Sequence, residues 1–336
     1  MQRALTFRAS SIGDCLMGVY FLSNIHAAYP SARCGLVVAS RGAMIRELCA
    51  AYPWIEVIEA SRRDVRSLFR LWKKWKGSDV VLTQYAGKPG GMFSLPSKLA
   101  ARILARRGGS MGFEDAFWGN RYIYGTLLPC DRDAAPAALE RSALVACTVP
   151  IAYPYPRLDA VVQEGVLERF GLSQNSFVMV HLFSGSRERG LHPTRMRALV
   201  AAVRAVFPQL RIVLTGGAAD RSEATAIAQS VSNALSIAGD VSLQELLSVI
   251  DTAHTIVSVD TGVAHMAAQR ERHVIVCTSC IGKHWWQDAQ YGAGRATIGC
   301  NLAYCTSGSM TLEPYPRALN EIDFVALLQS YVAQHP

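Results

Sequence analysis

Runs of apolar, β-branched residues alternate with amphipathic stretches along most of the chain. Residues 2–9, 34–39, 54–59 and 79–84 read as strands, with helices over 12–28, 41–51 and 62–76 between them. A looser stretch follows, punctuated by Pro129, Pro136, Pro150, Pro154 and Pro156, and residues 148–157 read as a linker. The alternation then restarts, with strands at 177–183, 211–217, 234–238, 255–259 and 273–278 and helices at 194–207, 220–232, 242–253 and 262–270. Residues 281–317 read as irregular, rich in Gly, Trp and Tyr, and an amphipathic helix over about 321–334 closes the chain. Strand–helix alternation implies parallel sheets covered on both faces. The expected class is α/β, with two Rossmann-like, doubly wound domains at 1–150 and 151–320 facing a central cleft. The closing segment, 321–336, is expected to pack back on the first domain.

Composition narrows the classes. The 336 residues give room for two domains, and with half of them hydrophobic and 18% charged, disorder is excluded. No apolar run reaches the roughly 18 residues of a membrane span. The first residues, Met-Gln-Arg-Ala-Leu-Thr-Phe-Arg-Ala, read as a strand rather than a signal peptide, so a cytoplasmic protein is expected. The formal net charge of +8 points to an anionic partner: nucleic acid, a phospholipid surface or a phosphorylated substrate. Nucleic acid has only charge in its favour, since no recognition motif is present. The cations gather in the first half, around Arg62–Arg66, Arg70–Lys76 and Lys98–Arg107. Val65 to Lys76 mixes Leu68, Phe69, Trp72 and Trp75 with them, as an interfacial helix does or as a solvated helix with core-facing aromatics does.

Nine cysteines are scattered along the chain. Cys15, Cys34, Cys49, Cys130 and Cys147 read as reduced residues of helices and strands, and Cys277 as the core-facing end of a strand. Cys280, Cys300 and Cys305 form the one loose candidate for a metal clip, of structural use only.

The candidate chemistry sits on strand-to-helix turns. The densest is Ser258-Val-Asp-Thr-Gly-Val-Ala-His265, where Asp260, Thr261 and Gly262 end a strand and open a helix. Unpaired amides at a helix start favour an anion, and His265 is near enough to reach it. The same stretch also reads as an ordinary turn with Asp260 as N-cap. After strand 177–183 come Ser184, Ser186, Arg187 and Arg189, suited to wrapping and neutralising phosphate. After strand 211–215 come Gly216, Gly217, Asp220 and Glu223. Glu223 suits ribose hydroxyls, or Asp220 and Glu223 merely cap a helix. In the first half, Ser10-Ser11-Ile12-Gly13-Asp14 follows the first strand. Asp14 is placed either as a general base or as a helix-start carboxylate. There is no Walker-type Gly-x-x-x-x-Gly-Lys loop and no Gly-x-Gly-x-x-Gly after the first strand.

Together these turns resemble the ADP-heptose lipopolysaccharide heptosyltransferase family (glycosyltransferase family 9), inverting enzymes of the two-domain GT-B fold. The likeness is carried by Ser10–Asp14, by Leu214-Thr-Gly-Gly217 and by Ala238-Gly-Asp-Val-Ser-Leu243 running through to Ala268. The resemblance implies that Asp14 is the base toward the acceptor hydroxyl, with Ser10, Ser11 and Gly13 on the acceptor side. It implies a sugar-nucleotide diphosphate on Asp260, Thr261, Gly262 and His265, ribose near Glu223 and the base beside Val241. An ADP-sugar would be co-substrate, with no metal or other cofactor, and an anionic glycolipid at the inner membrane face would be acceptor. The chain departs from the family where Arg189-Gly190-Leu191-His192-Pro193 puts glycine at the family's lysine. That departure leaves a UDP- or GDP-sugar transferase, an epimerase or a non-catalytic binding relative as alternatives.

Overall fold

The computed structural model describes residues 1–8, 11–61, 63–83, 95–115, 117–131, 133–161, 163–185, 190–278, 284–299, 319 and 321–335. The chain divides into two compact units, Met1–Asp159 and Ala160–Pro336. The division falls just past the proline-rich linker.

The first unit contains β1 (Arg3–Arg8), α1 (Ile12–Ala28), β2 (Arg33–Val38), α2 (Gly42–Leu48), β3 (Ile55–Glu59) and α3 (Val65–Trp75). It continues with β4 (Val80–Thr83), α4 (Leu95–Leu104), β5 (Ser110–Phe113), α5 (Asn120–Ile123), β6 (Thr126–Leu128) and α6 (Pro136–Ala146). Its sheet runs β3-β2-β1-β4-β5-β6 with every pair parallel. Right-handed crossovers on this order place α1 and α2 on one face and α3, α4 and α5 on the other. Helix α6 packs on α1. Buried on nearly every side from Gly13 to Asn24, α1 shows little amphipathic pattern.

The second unit contains α7 (Val166–Arg169), β7 (Phe177–His181), α8 (Pro193–Val206), β8 (Arg211–Thr215), α9 (Arg221–Gln229), β9 (Ala234–Ser236) and α10 (Leu243–Thr252). Then follow β10 (Thr255–Val259), α11 (Gly262–Gln269), β11 (Val274–Cys277), α12 (Asp288–Tyr291), β12 (Ala296–Gly299) and α13 (Phe324–Gln334). The order β12-β11-β10-β7-β8-β9, all parallel, repeats the topology of the first sheet. Strands β7 and β10 are wholly buried, which is why they read as continuous apolar runs. The closing helix differs from expectation. Phe324, Leu328 and Tyr331 enter the core of the second unit with Met196 and Leu199, and Arg195 lies over the Phe324 ring at 4.4 Å. Its apolar face is thus taken up by α8. Among the described residues, no helix is long and apolar enough to cross a membrane.

Candidate functional site

The second sheet reverses its order between β7 and β10, and β8 lies on the other side of β7. Register sets Ser258 beside His181 and His181 beside Thr215. The turns leaving these three strands are therefore neighbours at the carboxyl edge, where doubly wound sheets hold ligands.

The turn into α11 has two sides. On one side, Thr261 is the N-cap in an extended conformation, and its side chain makes no capping bond. The amide of His265 reaches the carbonyl of Thr261 at 3.2 Å. Those of Gly262, Val263 and Ala264 come before it and have no acceptor within the helix. The Thr261 hydroxyl oxygen has no partner among the described residues. Helix-start amides of this kind favour an anion. On the other side, Asp260 and His265 turn into the protein. Asp260 Oδ2 accepts from the Thr278 hydroxyl at 2.9 Å, and Oδ1 accepts from Trp286 Nε1 at 3.2 Å. His265 is buried, 2.7 Å from the Tyr291 hydroxyl through Nδ1, and stacked on Trp286 with centroids 4.7 Å apart. Its Nε2 lies 3.5 Å from Asp260 Oδ1. Of the four residues expected at the diphosphate, Asp260 and His265 thus brace the turn, while Thr261 and Gly262 are partly exposed at its start. Trp286 and Tyr291 were not foreseen. They lie in the stretch read as irregular, where the aromatic density was the available signal.

His181, hidden in the sequence as part of an apolar strand, is a second unforeseen group. Its Nδ1 is 3.0 Å from the Thr215 hydroxyl. Burial pulls its pKa down to about 4, against an opposing pull from Asp220, so the ring is neutral at physiological pH. Ser184 is half-buried beyond β7, and a Cβ on Gly185 would meet open space. Ser186, Arg187 and Arg189 lie outside the described residues.

In the β8 turn the two glycines differ. A Cβ on Gly216 would lie 2.9 Å from Phe183 and 3.0 Å from the Asp220 Cβ, so Gly216 is packed against protein. Gly217 is exposed, and its amide donates to Asp220 Oδ2 at 2.8 Å. Asp220 is thereby spent on its own turn. Glu223 remains exposed on the first turn of α9. Beside it, Gly239 is left-handed at φ +75°, and its amide donates to the Gly216 carbonyl at 2.9 Å. Arg221 grips the Gly239 carbonyl at 2.8 Å and Asp240 at 2.6 Å. Ser242 and Glu245 form a capping box at the start of α10. Val241, between these anchors, is half-exposed and fixed in place.

In the first unit Gly13 is buried and Ser11 is the N-cap of α1. The Asp14 amide donates to Ser11 Oγ at 3.2 Å, and the Ser11 hydroxyl donates to Asp14 Oδ2 at 2.5 Å. Asp14 is half-buried at the carboxyl edge of β1, beside the point where this sheet reverses its order. Among the described residues, capping engages one carboxylate oxygen of Asp14 and leaves the other without a partner. Below, the Arg8 guanidinium meets Glu140 at 2.7 Å, both buried. Burial raises the Glu140 pKa, Arg8 opposes the rise, and Asp14 adds to it. Ser10 lies outside the described residues, as do Cys280, Cys300 and Cys305. Cys277 is in the core, where burial pushes its thiol up to about 12.

The profile of glycosyltransferase family 9 (heptosyltransferase) matches residues 194–277. That span runs from α8 to β11 and holds the Gly216, Asp240 and Asp260 turns. No curated protein matches the chain. The fold matches Escherichia coli ADP-heptose lipopolysaccharide heptosyltransferase II at TM-score 0.69 and 19% identity, covering 99% of this chain and 98% of that one. It matches E. coli heptosyltransferase WaaC with ADP at TM-score 0.67 and 16% identity, covering 100% of both. A glycosyltransferase family 9 structure from Veillonella parvula matches at TM-score 0.66 and 14% identity, covering 88% and 85%. The chain is thus an α/β protein of the GT-B fold that resembles glycosyltransferase family 9, the heptosyltransferases, with the family's sequence pattern in residues 194–277.

Proposed function

We propose that this chain is an inverting glycosyltransferase that moves heptose from ADP-heptose to a lipopolysaccharide core, or to a related glycolipid at the inner membrane face. The observation that carries the reading is the start of α11. It has helix-start amides at Gly262–Ala264 without acceptors in the helix and a buried Thr261 hydroxyl without a partner among the described residues, on a turn braced by Asp260, His265, Trp286 and Tyr291. This is a rigid cradle for a diphosphate at the switch point of its sheet. It lies within the segment that matches family 9.

The chemistry follows from the groups. The acceptor hydroxyl oxygen attacks the anomeric carbon as the bond to the diphosphate breaks. ADP leaves with the electron pair, and Asp14 takes the hydroxyl proton. One displacement inverts the anomeric centre. The amides of α11, with Arg187 and Arg189 as cations and Ser184 and Ser186 as donors, meet the leaving charge. This reading assigns no metal and no further cofactor. Glu223 accepts from the ribose, and Val241 lies against the adenine. Ser10, Ser11 and Gly13 shape the acceptor side. The protein works from the cytoplasm, peripheral to the membrane, and its basic charge serves phosphorylated substrates rather than nucleic acid.

One departure favours a second reading. Gly190 stands where the family has a lysine, which supports a different sugar or a UDP or GDP donor. Thermal unfolding with ADP, UDP and GDP, each in large excess, separates the two. A ligand at about 100 times its Kd adds roughly 2.7 kcal/mol to the folded state. A selective ADP shift is expected. A selective UDP or GDP shift would move the donor and keep the fold.

A further inference from the structure

Helix α3 buries Ser67, Leu71 and Trp75 against its own unit. A second apolar stripe on the same helix has no such cover: Val65, Leu68, Phe69 and Trp72, at positions i, i+3, i+4 and i+7. That is the spacing of a helix face meant for burial. Yet Val65 is 75% and Phe69 60% exposed. Single exposed apolar residues are ordinary, but a contiguous stripe marks an interaction surface. The neighbouring helix α4 extends the patch with Leu99 and Ile103, both exposed, and beyond it Trp118 and Tyr122 stand exposed beside α5. The crossover handedness sets all three helices on the same face of the sheet.

Charge identifies the occupant. Between residues 63 and 76 the sequence has six cations and one carboxylate. Arg66 and Lys73 flank the stripe, and no carboxylate among the described residues pairs with either. Lys76 Nζ lies over the Trp72 ring at 4.9 Å, adding a cation at the edge of the stripe. Exposed aromatic and aliphatic groups edged by unpaired cations match an anionic bilayer, with acyl chains below and phosphates above.

We infer that the α3–α4 face is the surface by which this protein docks on an anionic phospholipid membrane. Val65 and Phe69 insert at the headgroup boundary, and Arg66 and Lys73 meet lipid phosphates. The start of α3 lies at the same edge of the sheet as Asp14, since both follow the carboxyl ends of strands. Docking through this face would bring the Asp14 turn toward lipid-borne substrate. That consequence rests on the glycolipid reading, but the docking itself does not.

The test is co-sedimentation of the full chain with vesicles of phosphatidylethanolamine and phosphatidylglycerol, against vesicles of phosphatidylcholine alone. No glycan is present, so the result is independent of transfer activity. Binding to the anionic vesicles only is expected. Arg66→Gln with Lys73→Gln should weaken it on the order of 25-fold, about fivefold per cation. Phe69→Ser with Trp72→Ser should weaken it by at least about tenfold. Both doubles change exposed side chains and should keep the wild-type unfolding temperature and the transfer rate to a soluble acceptor. Equal binding to both vesicles, no binding, or wild-type binding by both doubles would overturn the inference. So would concentration-dependent self-association abolished by the serine double without vesicle binding, which would assign the face to a second copy.

Discussion

The Tyr291 hydroxyl lies 2.7 Å from Nδ1 of His265, inside the wall that backs the start of α11. Burial raises the Tyr291 pKa well above its ordinary value, so the hydroxyl keeps its proton. Across the ring, Nε2 faces Asp260 Oδ1 at 3.5 Å. One tyrosine thereby holds in place a histidine whose carboxylate neighbour shapes the candidate diphosphate turn.

Tyr291→Phe removes that hydroxyl and keeps the ring. The variant should lose about 1 kcal/mol of stability, and nucleotide affinity should fall about fivefold as the turn loosens. Calorimetric titration with ADP, beside a thermal melt, checks both. Unchanged affinity with lowered stability would confine Tyr291 to packing.

His181 supplies a pH dependence with a definite sign. Folded, it titrates at about 4; unfolded, near 6.5. Between those values the unfolded chain binds the proton and the folded chain does not, so stability falls as pH falls from about 6.5 toward 4. From pH 7 to 5 this group alone should cost on the order of 2 kcal/mol. His181→Gln should flatten the slope of unfolding midpoint against pH over that window. An identical slope in variant and wild type would show that the folded protein takes up the proton.

Gly239 holds a left-handed φ, and a Cβ there would lie 2.7 Å from the Ala218 Cα. Gly239→Ala should cost roughly 1–2 kcal/mol for the backbone alone, lowering the melting temperature of its unit by several degrees. The push on Ala218 should also weaken nucleotide binding through the Gly217 turn. A melt indistinguishable from wild type would contradict this packing.

Arg8 and Glu140 test the floor beneath Asp14. Arg8→Met leaves a buried carboxylate without its cation and should cost roughly 3–5 kcal/mol at neutral pH. With Arg8 gone, Glu140 holds its proton to higher pH in the folded than in the unfolded state. The variant should therefore regain stability as pH is lowered toward the ordinary carboxylate range. Arg8→Met with Glu140→Leu should recover most of the loss at pH 7. Denaturant midpoints across pH decide it, and a double variant no better than the single would refute the pairing.

Much of this was legible in the sequence, for a physical reason. Buried parallel strands such as Thr255–Val259 are unbroken β-branched runs, and each helix after them opens on small or capping residues. The elements that escaped notice are short or carry misleading signals. Strands β5 and β6 have four and three residues. Helix α6 opens on Pro136, which punctuates a loop in sequence but sits without cost at a first helical position. At the site, the turns were found by their glycines and carboxylates. The contacts that brace Asp260 and His265 were not, because only the fold brings Trp286 and Tyr291 against them. That the closing helix packs on α8 rather than on the first domain was not legible either, because amphipathicity names an apolar face and not its partner.

The central claim is glycosyl transfer with Asp14 as base. The most direct measurement incubates the purified chain with ADP-heptose and a lipopolysaccharide acceptor lacking outer core, following ADP release and the anomeric configuration of the product. Wild type should form an inverted glycoside. Asp14→Asn should bind ADP as wild type does and slow transfer by at least about a hundredfold. Retention of configuration, or an Asp14→Asn variant that transfers at the wild-type rate, would contradict the account.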